Sequence, residues 1–175
     1  FDVANGGMQF VELGSWIPRF NINYHLGVDG ISMLFVVLNA FVTIIVVAAG
    51  WEVIQTKVAQ YNAAFLIMSG LMNGIFTSLD GVLFYVFFEA SLIPMYLIIG
   101  VWGGPNRVYA AFKFFLYTLF GSLLFLIALM YLFIQSGGSF SILEWHKLPI
   151  GLGAQVWLFL AFLVAFAVKV PMWPV

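Results

Sequence analysis

From Val28 onward, long apolar runs alternate with short polar breaks, and each run is close to the thickness of a bilayer. A helix needs about 20 mainly apolar residues to cross ~30 Å of hydrocarbon. On that measure the pattern predicts five spans, at 28–50, 62–78, 82–101, 111–134 and 154–175. The breaks are "WEVIQTKVAQ", the tight turn "LDG" at 79–81, "WGGPNRVYA", and the polar stretch 135–153 with "GGS" and "EWHK". Residues 1–27 hold no run long enough to span and read as a loop on the first side of the membrane, expected to be periplasmic. The chain starts without Met and stops inside an apolar run, so it reads as a fragment whose last span is truncated. The predicted fold is all-α: a polytopic transmembrane helix bundle occupying residues 28–175.

Composition agrees with the pattern. The 175 residues are 64% hydrophobic and 7% charged, against about half and about a quarter in soluble domains. This predicts an integral membrane protein with the lipid bilayer as its first partner. A net charge of −1 and no Lys/Arg run exclude nucleic-acid binding. With no cysteine there is neither a disulfide framework nor iron–sulfur ligation, and His25 and His146 are too distant in sequence to form a ligand pair on one helix. No metal or cofactor site is expected in this chain, so redox chemistry must lie elsewhere. Trp51, Trp102, Trp145 and Trp157 fall near span ends, where indole rings anchor at the headgroups. Lys57, Arg107 and Lys113 on the second side outnumber Arg19 and Lys147 on the first, which places the second side in the cytoplasm.

Two charges lie at membrane depth. Glu89 is seven residues into the third span, about 10 Å below its start, and Lys169 is about 22 Å along the fifth. The spans run in the same direction, so the two are offset by about 12 Å if they start level. Helix tilt, side-chain reach or bridging water would be needed to bring them together. Burying either one unpaired costs about 2.5–3.5 kcal/mol. Close together, a buried Glu and Lys both hold their charges; apart, each tends to neutralise, which makes such a pair a proton switch. Each also sits beside a helix breaker. Pro94 withholds a donor from the Ala90 carbonyl, and Pro171 and Pro174 withhold theirs from Ala167 and Val170. Freed carbonyls at membrane depth need protein or water partners, so a discontinuous helix lining a hydrated cavity is expected at Lys169. Lys113, near the start of the fourth span, can snorkel to the headgroups and is a lesser candidate. Asp29 and Asp80 read as helix caps or turn residues. Asn39, Asn73, Thr77, Ser91, Thr118 and Ser122 read as helix-to-helix hydrogen-bonding groups.

The segments "HLGVDGIS" (25–32), "FFEASLIPMYLIIGVWGG" (87–104), "NRVYAAFKFFLYTLFGSLL" (106–124) and "AFAVKVPMWPV" (165–175) resemble the antiporter-like subunits of respiratory NADH:quinone oxidoreductase, complex I, of the chain M or subunit 4 type. The resemblance implies an antiporter-like fold and a proton-translocating subunit, an enzyme only as part of its complex. Glu89 and Lys169 would then form the proton relay. It also implies partners: the antiporter-like chains L and N and, through them, a hydrophilic redox arm. NADH, FMN, iron–sulfur clusters and quinone would belong to those partner subunits. A bacterial plasma membrane is the expected location, with the mitochondrial inner membrane as the alternative. Multisubunit sodium/proton antiporters and membrane-bound hydrogenases of the same fold are close alternatives. A structural scaffold, in which Glu89 and Lys169 only lock helices, is a rival of another class, and a stand-alone secondary transporter ranks behind it.

Overall fold

The computed structural model describes residues 1–172. Its elements run β1 (Gln9–Ile17), a 3-10 turn (Pro18–Phe20), β2 (Ile22–Val28), α1 (Gly30–Val53), α2 (Val58–Thr77), α3 (Gly81–Ala90), α4 (Leu92–Trp102), α5 (Arg107–Gln135), α6 (Ile142–Trp145) and α7 (Leu152–Lys169). Among the described residues, four segments are long and apolar enough to cross a membrane: α1, α3 with α4, α5 and α7. Helix α2 has 20 residues but carries Gln60, Asn62 and Asn73 and is not among those four.

The first 27 residues correct the expectation of a loop. β1 and β2 pair antiparallel, with Leu13 opposite His25 and Gly14 opposite Tyr24. Asn21 closes the hairpin in the left-handed region at φ 53°, a conformation that asparagine tolerates well. Period-two alternation failed to signal these strands because β1 leaves Phe10, Val11, Leu13 and Trp16 all exposed, so no buried face imprints itself on the sequence.

Helix α5 is the spine. It packs against α7 and against α4, while α2 lies between α1 and the α3–α4 pair. Its buried positions are Ala111, Thr118, Gly121, Ser122, Phe125, Ala128, Leu129 and Leu132, a stripe spaced by threes, fours and sevens along one face. The small residues in that stripe let neighbouring backbones approach, as expected where lipid supplies no hydrophobic drive between helices. A Cβ on Gly121 would stand 2.9 Å from the Val168 side chain. Phe125, Leu129 and Ala165 form the core, with Phe84, Tyr85, Trp145 and Phe162 packed against it. Trp145 thus faces the bundle rather than the headgroups, and its Nε1 donates to the Ser139 carbonyl at 2.9 Å.

Polar groups fasten the outer helix and the first-side end. Asn39 on α1 donates to Asn73 Oδ1 at 2.7 Å and to Ser69 on α2, as the sequence reading expected of Asn39 and Asn73. Asp29 caps α1 with a reciprocal Ser32 box, and those hydrogen bonds hold its carboxyl below the usual value. Residues 78–81 are stitched on both sides. Leu79 N–H donates to the His25 carbonyl of β2, while Gly81 N–H donates to the Phe140 carbonyl and Leu79 accepts from Ile142 N–H. Asp80, 2% exposed, accepts from Val82 and Leu83 N–H at the start of α3 and from Asn23 N–H of β2. Burial pushes its carboxyl up, against the pull of those three donors.

Asp80→Ala leaves three backbone N–H groups without their acceptor and is expected to cost about 2 kcal/mol. Asp80→Asn keeps a neutral acceptor and should cost less; thermal unfolding of the purified protein in detergent checks the order. At Gly81 a Cβ would collide with the Trp145 ring. Gly81→Ala is therefore expected to destabilise by about 1–3 kcal/mol. Gly70→Ala, with open space at its Cβ position, should be neutral or slightly stabilising in the same measurement.

Candidate functional site

The continuous third span of the sequence reading is two helices. α3 ends at Ala90, Ser91 forms a turn, and α4 starts at Leu92, with Pro94 in its first turn. Proline is tolerated in a first turn, where its missing N–H has no intrahelical partner in any case. This junction lies beside the end of α7. Lys169 is the last residue of α7, and Val170 and Pro171 leave the helix in a turn. The Ala167 carbonyl, denied a donor by Pro171, accepts from Met172 N–H at 2.8 Å. Pro174, the second breaker expected to act here, lies outside the described residues.

Lys169 Nζ donates to the Phe88 carbonyl at 2.9 Å and to Ser91 Oγ at 3.0 Å, and stands 3.9 Å from the centroid of the Phe88 ring. The depth offset estimated from helical rise is thus closed, but onto Phe88 and Ser91 on either side of Glu89 in sequence. Glu89 is near enough for its charge to act on Lys169. Its Oε1 is buried without a hydrogen-bond partner among the described residues. Ser122 on α5, whose hydroxyl donates to the Leu119 carbonyl at 2.8 Å, lies close to both the Glu89 carboxyl and Tyr85.

A cavity of about 440 Å³ opens between α5 and α7, lined by Lys113, Phe114, Tyr117, Thr118, Lys169 and Pro171 among others. It brings Lys113, which is itself exposed, onto the same space as Lys169. Thr118 and Thr77 donate back into their own helices rather than across to a neighbour. Ser91 is the group the sequence reading undervalued. It is 5% exposed and its hydroxyl both donates to the Phe88 carbonyl at 2.7 Å and accepts from Lys169. The sequence signal was its place three residues before Pro94 in an otherwise apolar stretch. Chemically, the arrangement offers an amine on neutral acceptors with a carboxyl nearby, and a mostly apolar space with that lysine and a second one on its wall.

Residues 78–175 match the family model described as NADH:quinone oxidoreductase/Mrp antiporter, TM. NADH-quinone oxidoreductase subunit M of Rhodobacter capsulatus is 50% identical, over 100% of this chain and 36% of that protein. NADH-ubiquinone oxidoreductase chain 4 of Arabidopsis thaliana is 46% identical, over 100% of this chain and 35% of that protein. The chain therefore spans about a third of the length of the curated relatives it matches. Among solved structures, a chain of respiratory complex I from Thermus thermophilus superposes with a TM-score of 0.82 at 34% identity, over 97% of this chain and 35% of that one. A chain of the Mrp complex from Dietzia sp. gives a TM-score of 0.85 at 18% identity, over 95% of this chain and 19% of that one, a likeness of fold alone. On the sequence match and the complex I neighbour together, the chain belongs to the NADH:quinone oxidoreductase/Mrp antiporter transmembrane family.

Proposed function

We propose that this chain is part of a proton-translocating membrane subunit of an NADH:quinone oxidoreductase, with Lys169 and Glu89 as its proton relay. The observation that carries the reading is the seating of Lys169 at the α3–α4 junction, with Glu89 within electrostatic reach. An amine and a carboxyl at membrane depth are costly to keep. Their adjacency at a helix interruption is the arrangement a relay requires, because a small change in separation changes which of them holds the proton. Lys113, on the shared cavity, is the entry group from the second side.

All five apolar helical segments cross the bilayer in this reading, α2 among them, with Ser69 and Asn73 bonded to Asn39 of α1. The hairpin and α6 then lie on the periplasmic side. The redox chemistry belongs to other subunits, which hold NADH, FMN, the iron–sulfur clusters and quinone; the neighbours in the membrane are the related antiporter-like chains L and N. The bacterial plasma membrane is the proposed location, and the 50% identity to a bacterial relative supports it. An antiporter complex of the Mrp kind is the second reading, because the matched family model describes both kinds of complex. The 50% identity to a quinone oxidoreductase relative favours the first.

NADH-driven proton uptake into inverted membrane vesicles tests the proposal with Lys169→Met and Glu89→Gln in the full-length protein within its complex. The expected result is normal complex content and normal NADH oxidation by an artificial acceptor. Proton uptake should fall roughly 10²-fold, the low end for removing a proton-transferring group. Unchanged uptake in both variants would leave the two residues as helix-locking groups and sink the relay.

A further inference from the structure

Two hydrogen bonds leave the Lys169 amine, and both have neutral acceptors. The Phe88 carbonyl and Ser91 Oγ accept two hydrogen bonds at 2.9 and 3.0 Å, and the face of the Phe88 ring lies 3.9 Å away on a third side. Lysine has three N–H donors and no acceptor, and an aromatic face within about 6 Å attracts a cation. The Ser91 hydroxyl completes the arrangement by donating to the same Phe88 carbonyl at 2.7 Å, which fixes its lone pairs toward the lysine.

Helical geometry explains why Glu89 is left out. Residues three apart share a face, so Phe88 and Ser91 point the same way, while Glu89 is turned by about 100° from Phe88. That turn directs its carboxyl toward Tyr85 and Ser122, where Oε1 is buried without a hydrogen-bond partner among the described residues. The lysine thus faces two alternative positions on one helix turn: a neutral seat it occupies, and a carboxyl beside the seat that it does not.

We propose that Ser91 is a positioning residue that, with the Phe88 carbonyl and ring, forms a neutral seat holding Lys169 out of its ion pair with Glu89. The inference rests on the relay reading of Glu89 and Lys169 and adds the group against which their pairing competes. Without the hydroxyl, the seat loses one of its two acceptors and the lysine falls into the pair with Glu89. A relay locked in the paired state passes protons slowly.

Ser91→Ala and Ser91→Thr, made in the complete complex beside Lys169→Met, separate this role from packing. A packing role predicts that alanine is tolerated at this buried site and that threonine, one methyl larger, is the worse of the two. The seat predicts the reverse order. Ser91→Ala should lower NADH-driven proton uptake by roughly tenfold, the size set by losing a hydrogen bond to a charged group. Complex content and acceptor-linked NADH oxidation should stay unchanged, and Ser91→Thr, which keeps the hydroxyl, should recover most of the uptake. Full uptake in Ser91→Ala, or a Ser91→Thr variant that assembles and pumps no better than Ser91→Ala, overturns the seat. If Ser91→Thr does not assemble, Ser91→Ala decides alone: a tenfold loss at normal complex content supports the seat. Loss of uptake in Lys169→Met with full uptake in Ser91→Ala would remove the seat and leave the relay standing. Full uptake in Lys169→Met would remove the relay itself.

Discussion

The α3–α4 junction and the end of α7 meet at one half-buried amine. Lys169 ends α7 at membrane depth, where an unpaired charge costs several kcal/mol, and the α3–α4 junction supplies the acceptors that offset that cost. An unbroken helix would bury its carbonyls in its own ladder. The interruption at Ser91 coincides with a hydroxyl and a main-chain carbonyl turned to a neighbour. Proline at position 94 is accommodated because α4 begins afresh just before it.

The surrounding frame holds the two sides of that contact together. α5 carries a stripe of small residues on which α7 and the α3–α4 pair pack closely, and Gly121 against Val168 sets the approach one residue before Lys169. At the other end of α3, Asp80 joins the first turn of the helix to the hairpin. The segment on which Asp80 sits is also paired with the stretch before α6. Helix α3 is therefore anchored at its start by main-chain hydrogen bonds and at its end by the lysine. Glu89 and Ser91 sit near that second anchor, and a shift of α7 acts on them directly.

Hydrophobic run length made most of the helices legible in the sequence, because a bilayer imposes its thickness on every crossing. The two charges at depth were legible for the same reason: the other charged residues in those runs, Asp29 and Lys113, stand at the very start of their spans. The hairpin was not, since β1 has no buried face to impose alternation and β2 buries only Ile22 and Gly27, out of period with each other. Nor was Ser91. Its role depends on α7 arriving at the junction, a contact between residues 78 apart, and a serine in a membrane helix usually bonds its own backbone or a neighbour without consequence. Of the prolines beside Lys169, the described one stands where α7 stops. Pro171 ends the helix there, with the Ala167 carbonyl satisfied by Met172 rather than left open. Lys113 joined the site only through the cavity between α5 and α7, which no spacing in the sequence encodes.

A high-resolution cryo-electron microscopy map of the complete complex at rest would test the central claim most directly, by locating Lys169 Nζ. The account predicts density for the amine within hydrogen-bonding distance of both the Phe88 carbonyl and Ser91 Oγ, near the 2.9 and 3.0 Å found here. An amine paired to the Glu89 carboxyl, with Ser91 bonded only to its own helix, would contradict it.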